Sequence, residues 1–361
     1  MKRITLCALL MTLFLLLSCG SGQQSVDSPN GGGAATGGNS LSSVLMDVSR
    51  SAENAFYSFL ELLSDTLGLR VTKDTKKEDV AGYFNSLGAK IGEASEELEK
   101  VAKKSEGEGA KDGSIALAIR SAVDSAKTTL NTLKTHLDSL GQVGDAKPVG
   151  EAASDATGVT SVADKLQGAF KALKGIVDTA ESESVAKPKS GDTAVKIGNA
   201  DNKDGAKILA TDNKAGATDA SKAAVILSTV SGEEILASIV ASKESDAALT
   251  ANASGDTSAL AFAKGGNGAH LAQDAAKAAS VAGGIALRSL VKDGKLASGA
   301  ADGSAGGKEE VQGVGITAVN KLLVAVEDII KKTVKNVLEK AKGEIDKTRA
   351  PKQQLSSKID S

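Results

Sequence analysis

From Val311 to Ile345 the chain returns to an apolar residue every three or four positions: Val311, Val314, Val319, Leu322, Val326, Ile329, Ile330, Val334, Val337, Leu338, Ala341 and Ile345. That spacing is the period of an α-helix. It predicts one long helix over roughly 309–349. Lys340, Lys342, Lys347 and Arg349 crowd its C-terminal end, where cations oppose the helix macrodipole favourably. An amphipathic helix of this kind needs a partner for its apolar stripe.

Similar stripes run through the rest of the chain. Leu41, Val44, Leu45, Val48, Ala52, Phe56, Phe59, Leu63 and Leu67 predict a helix between Ser40 and Gly68. Thr75-Lys76-Lys77-Glu78 fits a capping box, ahead of a helix carrying Val80, Phe84, Leu87, Ile91, Leu98 and Val101. A third helix is predicted from about Ser114 to Leu140, ended by Gly141, and a fourth from about Ser161 with Asp164 as its cap. Beyond residue 180 the texture turns to Ala, Gly, Asp, Lys and Asn, consistent with short helices or turns. Ser231 and Glu234 form another capping box, and Val281, Ile285, Leu287, Leu290 and Val291 mark a helix ending near Gly294. Gly283-Gly284 inside it costs about 1 kcal/mol per residue relative to Ala; close backbone approach to a neighbour would offset that. The expected fold is therefore all-α: an elongated helical bundle over 41–349. Its N- and C-terminal helices would form a membrane-proximal stem, with a loop-rich dome at the distal end.

The first residues say what the stem would stand on. Lys2 and Arg3 precede an apolar run from Ile4 to Leu17, shorter than the ~20 residues a spanning helix needs. A charged start and a short apolar core read as an export signal over 1–18. Leu16-Leu17-Ser18-Cys19 resembles a bacterial lipobox, which implies cleavage by signal peptidase II before Cys19 and acylation of that residue. Each buried CH₂ contributes about 0.8 kcal/mol, so one chain binds marginally while two or three give lasting attachment. Residues 19–40 then read as a lipidated flexible tether. Its Gly/Ser-rich part cannot bury enough surface to fold and spans roughly 25 Å as a coil. Residues 350–361 read as a disordered tail.

Composition narrows the function. Cys7 falls in the removed segment, leaving Cys19, already acylated. A disulfide, a zinc site built on cysteine and a Cys/His nucleophile are then all out of reach. Processing takes Lys+Arg from 43 to 41 against 45 acids. With a pI near 5.9 and no polybasic tail, the chain lacks a nucleic-acid footprint. The two histidines, His136 and His270, have no partners at metal-ligand spacing. Gly313-Val314-Gly315 imitates a dinucleotide fingerprint without the strand that should precede it, and reads better as the small-residue start of the last helix. Gly303 to Lys308 lacks Walker spacing. The ADNKDG stretch fails as a calcium loop, with Ala200 at the first ligand position. No catalytic constellation, metal site or cofactor site is expected, and no cofactor beyond the covalent lipid on Cys19.

Three stretches, VSGEEILASIV at 230–240, IALRSLVKDGKLA at 285–297 and the terminal VNKLLVAVEDIIKKTVKNVLEKAK, resemble the variable large proteins of relapsing-fever Borrelia. The chain is more distantly similar to the VlsE antigen of Lyme spirochaetes. The resemblance implies a helical lipoprotein on the outer membrane, facing outward, expressed one version at a time. Its partners would be outer-membrane lipid and host antibodies. It places the variable dome mainly within 182–275, with loops near 105–113, 141–158 and 298–308, and matches 276–297 to a relatively invariant, shielded helix.

Two other functions compete with an antigen. A host-ligand binder for complement, plasminogen or matrix would use exposed lysines such as Lys203, Lys207 and Lys214. A periplasmic enzyme or solute-binding protein would need an α/β pattern or a polar pocket, which the sequence does not signal. The apolar stripes allow a homodimer without requiring one.

Overall fold

Long amphipathic stripes become long helices. In the computed structural model, which describes residues 67–106, 113–196 and 201–349, α1 spans Lys77–Ser105, α2 Ser114–Leu140 and α3 Ala163–Ser182. A 3₁₀ helix at Lys203–Leu209 follows. Then come α4 (Asp219–Ser228), α5 (Gly232–Val240), α6 (Ala259–Lys264), α7 (Gly268–Leu271), α8 (Ala278–Leu290) and α9 (Lys308–Arg349). Among the described residues there are isolated bridges, such as Val159 with Lys295, but no strand. The predicted signal segment, the tether, the 41–67 helix up to residue 66 and the C-terminal tail lie outside the described residues.

The ends of α2 and α9 and the start of α5 fall where the sequence predicts. The capping box of α5 is intact: Ser231 Oγ accepts from Glu234 N at 3.1 Å, and the Glu234 carboxylate accepts from Ser231 N at 2.6 Å. Three ends differ. At α1 the cap is Lys76, whose N–H donates to the Asp79 carboxylate at 2.8 Å; Thr75 Oγ1 instead accepts from Thr72 N. The N–H groups of Lys77 and Glu78 donate to the carbonyls of Lys147 and Asp145, so a distant loop takes up donors that a local cap would otherwise have to satisfy. At α3 the helix begins after Val162, and Asp164 lies in its first turn, favourable to the dipole but not a cap. At α8 the helix stops at Leu290 rather than near Gly294, because Val291 is extended and Asp293 adopts φ +62°.

Helix α8 sits at the centre. Every residue from Ala278 to Leu290 is buried, and the helix packs on α1, α3, α4, α5, α6 and α9. The glycine pair explains how neighbours come so close. A Cβ at Gly283 would lie 2.7 Å from Ala259 Cβ and from Ser238 Oγ; one at Gly284 would lie 2.5 Å from Phe262 Cβ. The alanine- and glycine-rich middle is not merely surface. Ile208, Leu209, Ile226, Leu227, Ile235, Leu236, Ile239, Leu260 and Phe262 are all buried, and each such side chain contributes about 1.5–3 kcal/mol by leaving water.

Candidate functional site

The sequence points to three kinds of candidate: a lipid attachment point, a set of exposed lysines, and pairs of histidines and glycines that imitate catalytic motifs. Cys19 and its lipobox residues Leu16, Leu17 and Ser18 lie outside the described residues. What the structure does describe is how the chain following that region joins the fold. Residues 67–75 run as an irregular strap against α9. Asn320 holds it with both ends of its amide, accepting from Val71 N at 2.8 Å and donating to Val71 O at 3.0 Å. Glu327 accepts from Gly68 N at 3.2 Å and from the Tyr83 hydroxyl, while Gln312 donates to Lys73 O at 2.9 Å. Gln312, Asn320 and Glu327 lie about two helical turns apart, so one face of α9 grips the strap along its length.

The three candidate lysines face acids of the same chain. Lys203 Nζ lies 3.3 Å from Asp274 and 3.6 Å from Asp201. Lys207 lies 2.6 Å from Asp204, and Lys214 lies 2.7 Å from Asp155. Asp204 also receives Lys222 at 2.7 Å. Burial works against the Asp204 carboxylate, yet the two lysines hold its pKa below the usual carboxylate range. The hydrogen bond to Asp274 raises Lys203. The structure thus brings Lys203 and Lys207 together on the 3₁₀ helix, and it sets Lys214 apart on the following loop, with each cation neutralised internally.

The motif look-alikes are packing elements. Gly315 lies within α9 against Gly150, which adopts φ +70°; a Cβ at Gly315 would sit 2.6 Å from the Gly150 Cα. His136 of α2 presses on Gly175 of α3, and burial pushes its imidazole below the ordinary histidine pKa while Asp178 pulls the other way. His270 Nδ1 is buried without a hydrogen-bond partner among the described residues. Among the described residues no three His, Cys, Asp or Glu side chains gather to hold a metal. No single described helix is long and apolar enough to cross a membrane.

Two buried cations stand out that residue spacing did not single out. Arg288 on α8 is fully buried, donating from Nε and Nη2 to Ala263 O at 2.9 and 2.7 Å and from Nη1 to Leu209 O at 3.0 Å. Among the described residues it has no ion pair, and burial pushes its pKa down to about 9. Lys77, also buried, donates to Val291 O and Gly294 O; burial lowers its pKa, with Asp145, Glu151 and Asp293 opposing. Both cations end on carbonyls at or just past the C-termini of helices, groups left without intrahelical partners and carrying partial negative charge. The one available signal was a lone cation inside the apolar run IALRSLV.

Comparison with known proteins agrees with this architecture. The sequence signature of a family described as Borrelia lipoprotein matches residues 52–345. The chain is 66% identical over 347 residues to variable large protein 25 of Borrelia hermsii, covering 95% of each chain. It is 60% identical to variable large protein 21 of the same organism, covering 97% of this chain and 96% of the relative. Its fold is similar to the crystal structure of the Lyme disease variable surface antigen VlsE of Borrelia burgdorferi. The TM-score is 0.67 at 27% identity, over 85% of this chain and 99% of that one.

Proposed function

The chain belongs to the variable large protein family of Borrelia lipoproteins, a non-enzymatic antigen family, and we propose that it is a version of the variable major antigen, replaced by other versions as host antibodies arise. The observation that carries this reading is the 66% identity to variable large protein 25 across 95% of both chains. In this proposal acylated Cys19 anchors the chain in the outer membrane, facing outward, and residues 19–40 act as tether. The 41–67 segment would pair with α9 in a stem, and 182–275 would supply most of an exposed dome. Mechanistically such a protein needs a frame that tolerates a changing surface. The frame here is the wholly buried α8, enclosed by α9 and the short helices α4, α5 and α6 and touched by α1 and α3. Substitutions on exposed positions away from it usually change stability by less than about 0.5 kcal/mol, so loops can vary without refolding.

A host protein that reads lysines would have to draw Lys203, Lys207 and Lys214 away from Asp274, Asp204 and Asp155, so the antigen reading is preferred over complement, plasminogen or matrix binding. The test is metabolic palmitate labelling combined with protease treatment of intact spirochaetes. Label on the wild type, its loss in Cys19→Ser, and removal of the bundle by protease from intact cells are expected. Labelling that persists in Cys19→Ser, or a protein that stays protected behind an intact outer membrane, would overturn the proposal.

A further inference from the structure

Four Asx-Gly pairs lie wholly within the described residues: Asp204-Gly205, Asn267-Gly268, Asp293-Gly294 and Asp302-Gly303. Such pairs can rearrange, because glycine offers no side chain to shield its nitrogen from the preceding carboxyl or amide carbon. Three of the four are locked. Gly205 N donates to Asn202 O at 2.9 Å, Gly294 N to Val291 O at 3.1 Å, and Gly268 N to Asn213 Oδ1 at 3.0 Å, and all three glycines are buried. Asn267 is further fixed as a helix cap, its Oδ1 accepting from Ala269 N and its Nδ2 donating to Asp212.

Asp302-Gly303 is different in each respect. Both residues are exposed, and the Gly303 N–H has no acceptor among the described residues. The pair forms the middle of a turn closed by one bond, Ser304 N to Ala301 O at 3.2 Å, with Gly303 at φ +75°. Nothing lies within 4 Å of where a Gly303 Cβ would be. The Asp302 carboxylate is lightly held, 4.0 Å from Lys308 Nζ. The glycine can therefore rotate its peptide plane without breaking a buried contact.

We propose that Asp302-Gly303 is a self-modifying site, converting to isoaspartate in the folded protein. The Gly303 nitrogen loses its proton and attacks Asp302 Cγ; the new C–N bond forms as the carboxyl oxygen leaves as water. Water then reopens the five-membered succinimide. Attack at the original main-chain carbonyl leaves the backbone running through the β-carboxyl, and the water lost is regained, so nothing is oxidised or reduced. The product has one extra methylene in the backbone and an α-carboxylate where the side chain was. It reshapes the exposed 301–305 turn just ahead of α9 while leaving the buried frame untouched.

The test is to age the full chain in neutral buffer at physiological temperature and map isoaspartate by peptide mass spectrometry with electron-transfer fragmentation. Isoaspartate at 302 is expected to exceed that at 204 and 293 by roughly tenfold or more, since those sites react only after local opening. In denaturant the sites at 204, 293 and 302 should converge, and Asp302→Glu, which cannot close the five-membered ring, should abolish the signal from that peptide. Equal accumulation at the three sites in the native chain would overturn the proposal. So would no isoaspartate at 302 over a period that converts the unfolded chain.

Discussion

Lys77 Nζ lies 2.7 Å from the carbonyl oxygen of Gly294, joining the first turn of α1 to the turn that terminates α8. A second bond, to Val291 O at 3.1 Å, completes the contact. No other donor reaches these two oxygens from a side chain in the described residues, although Gly294 N also bonds Val291 O. Lys77→Met keeps the apolar stem and removes the donor. It is expected to cost about 1–3 kcal/mol, the penalty for leaving a buried carbonyl unpaired, read as a lower urea midpoint with an unchanged slope. A variant as stable as the wild type would show that water replaces the ammonium.

Arg288 poses a sharper version of the same problem, since it ties α8 to the end of α6 through Ala263 and to the end of the 3₁₀ helix through Leu209. Replacing it by Met is expected to destabilise by about 1–3 kcal/mol for each of the two buried carbonyls left unpaired. Arg288→Lys should recover only part of this. A single ammonium cannot reproduce a planar fork that reaches two carbonyls on separate elements. Thermal unfolding of the three proteins side by side would rank them, and equal values for Lys and Arg would refute the fork argument.

Two glycines within helices should respond to alanine with opposite signs. Gly284→Ala places a methyl 2.5 Å from Phe262 Cβ, and overpacking of this kind costs about 1–3 kcal/mol. Gly313 of α9 is exposed with nothing within 4 Å of its Cβ position. Gly313→Ala should therefore stabilise by about 0.5–1 kcal/mol through helix propensity alone. Chemical denaturation of both variants tests the pair. Stabilisation by both would mean that α8 can shift away from α6.

These contrasts mark what a sequence can and cannot disclose. The extents of α2 and α9 and the box at Ser231–Glu234 are legible because each depends on residues a few positions apart. The glycine pair of α8 hinted correctly at close packing, because its local cost called for a tertiary return. The cap of α1 moved by one residue because Lys147 and Asp145 supply acceptors from across the chain. The fate of the lysines was hidden for the same reason: Lys214 meets Asp155 and Lys203 meets Asp274 only once the fold is made. The burial of Arg288 depends on carbonyls 25 and 79 positions away, and no periodicity encodes those.

The strap offers a local test of how residues 67–75 are secured to α9. Asn320→Ala removes both bonds to Val71 without touching the core stripe of α9. A loss of about 1–2 kcal/mol is expected, concentrated in the strap. Amide hydrogen exchange at 68–73 should accelerate while α8 amides stay as slow as before. Acceleration spread evenly through the chain would mean that the strap is part of the global folding unit.

His136 makes stability depend on acidity. Its folded pKa lies below the ordinary histidine value of about 6.5, chiefly because burial against α3 disfavours the imidazolium, with Asp178 the opposing charge. The unfolded chain therefore binds the proton more readily than the folded one. By linkage, the histidine's contribution is fully present above about pH 6.5 and is lost as pH falls through the folded value. His136→Gln cannot titrate, so the difference in melting temperature between wild type and variant should be constant at and above about pH 7 and shift against the wild type toward about pH 5. Surface carboxylates titrate alike in both proteins and cancel in that difference. A gap that stays flat across the range, or that widens in favour of the wild type in acid, would show that the imidazole is solvated and that its contact with Gly175 does not exclude water.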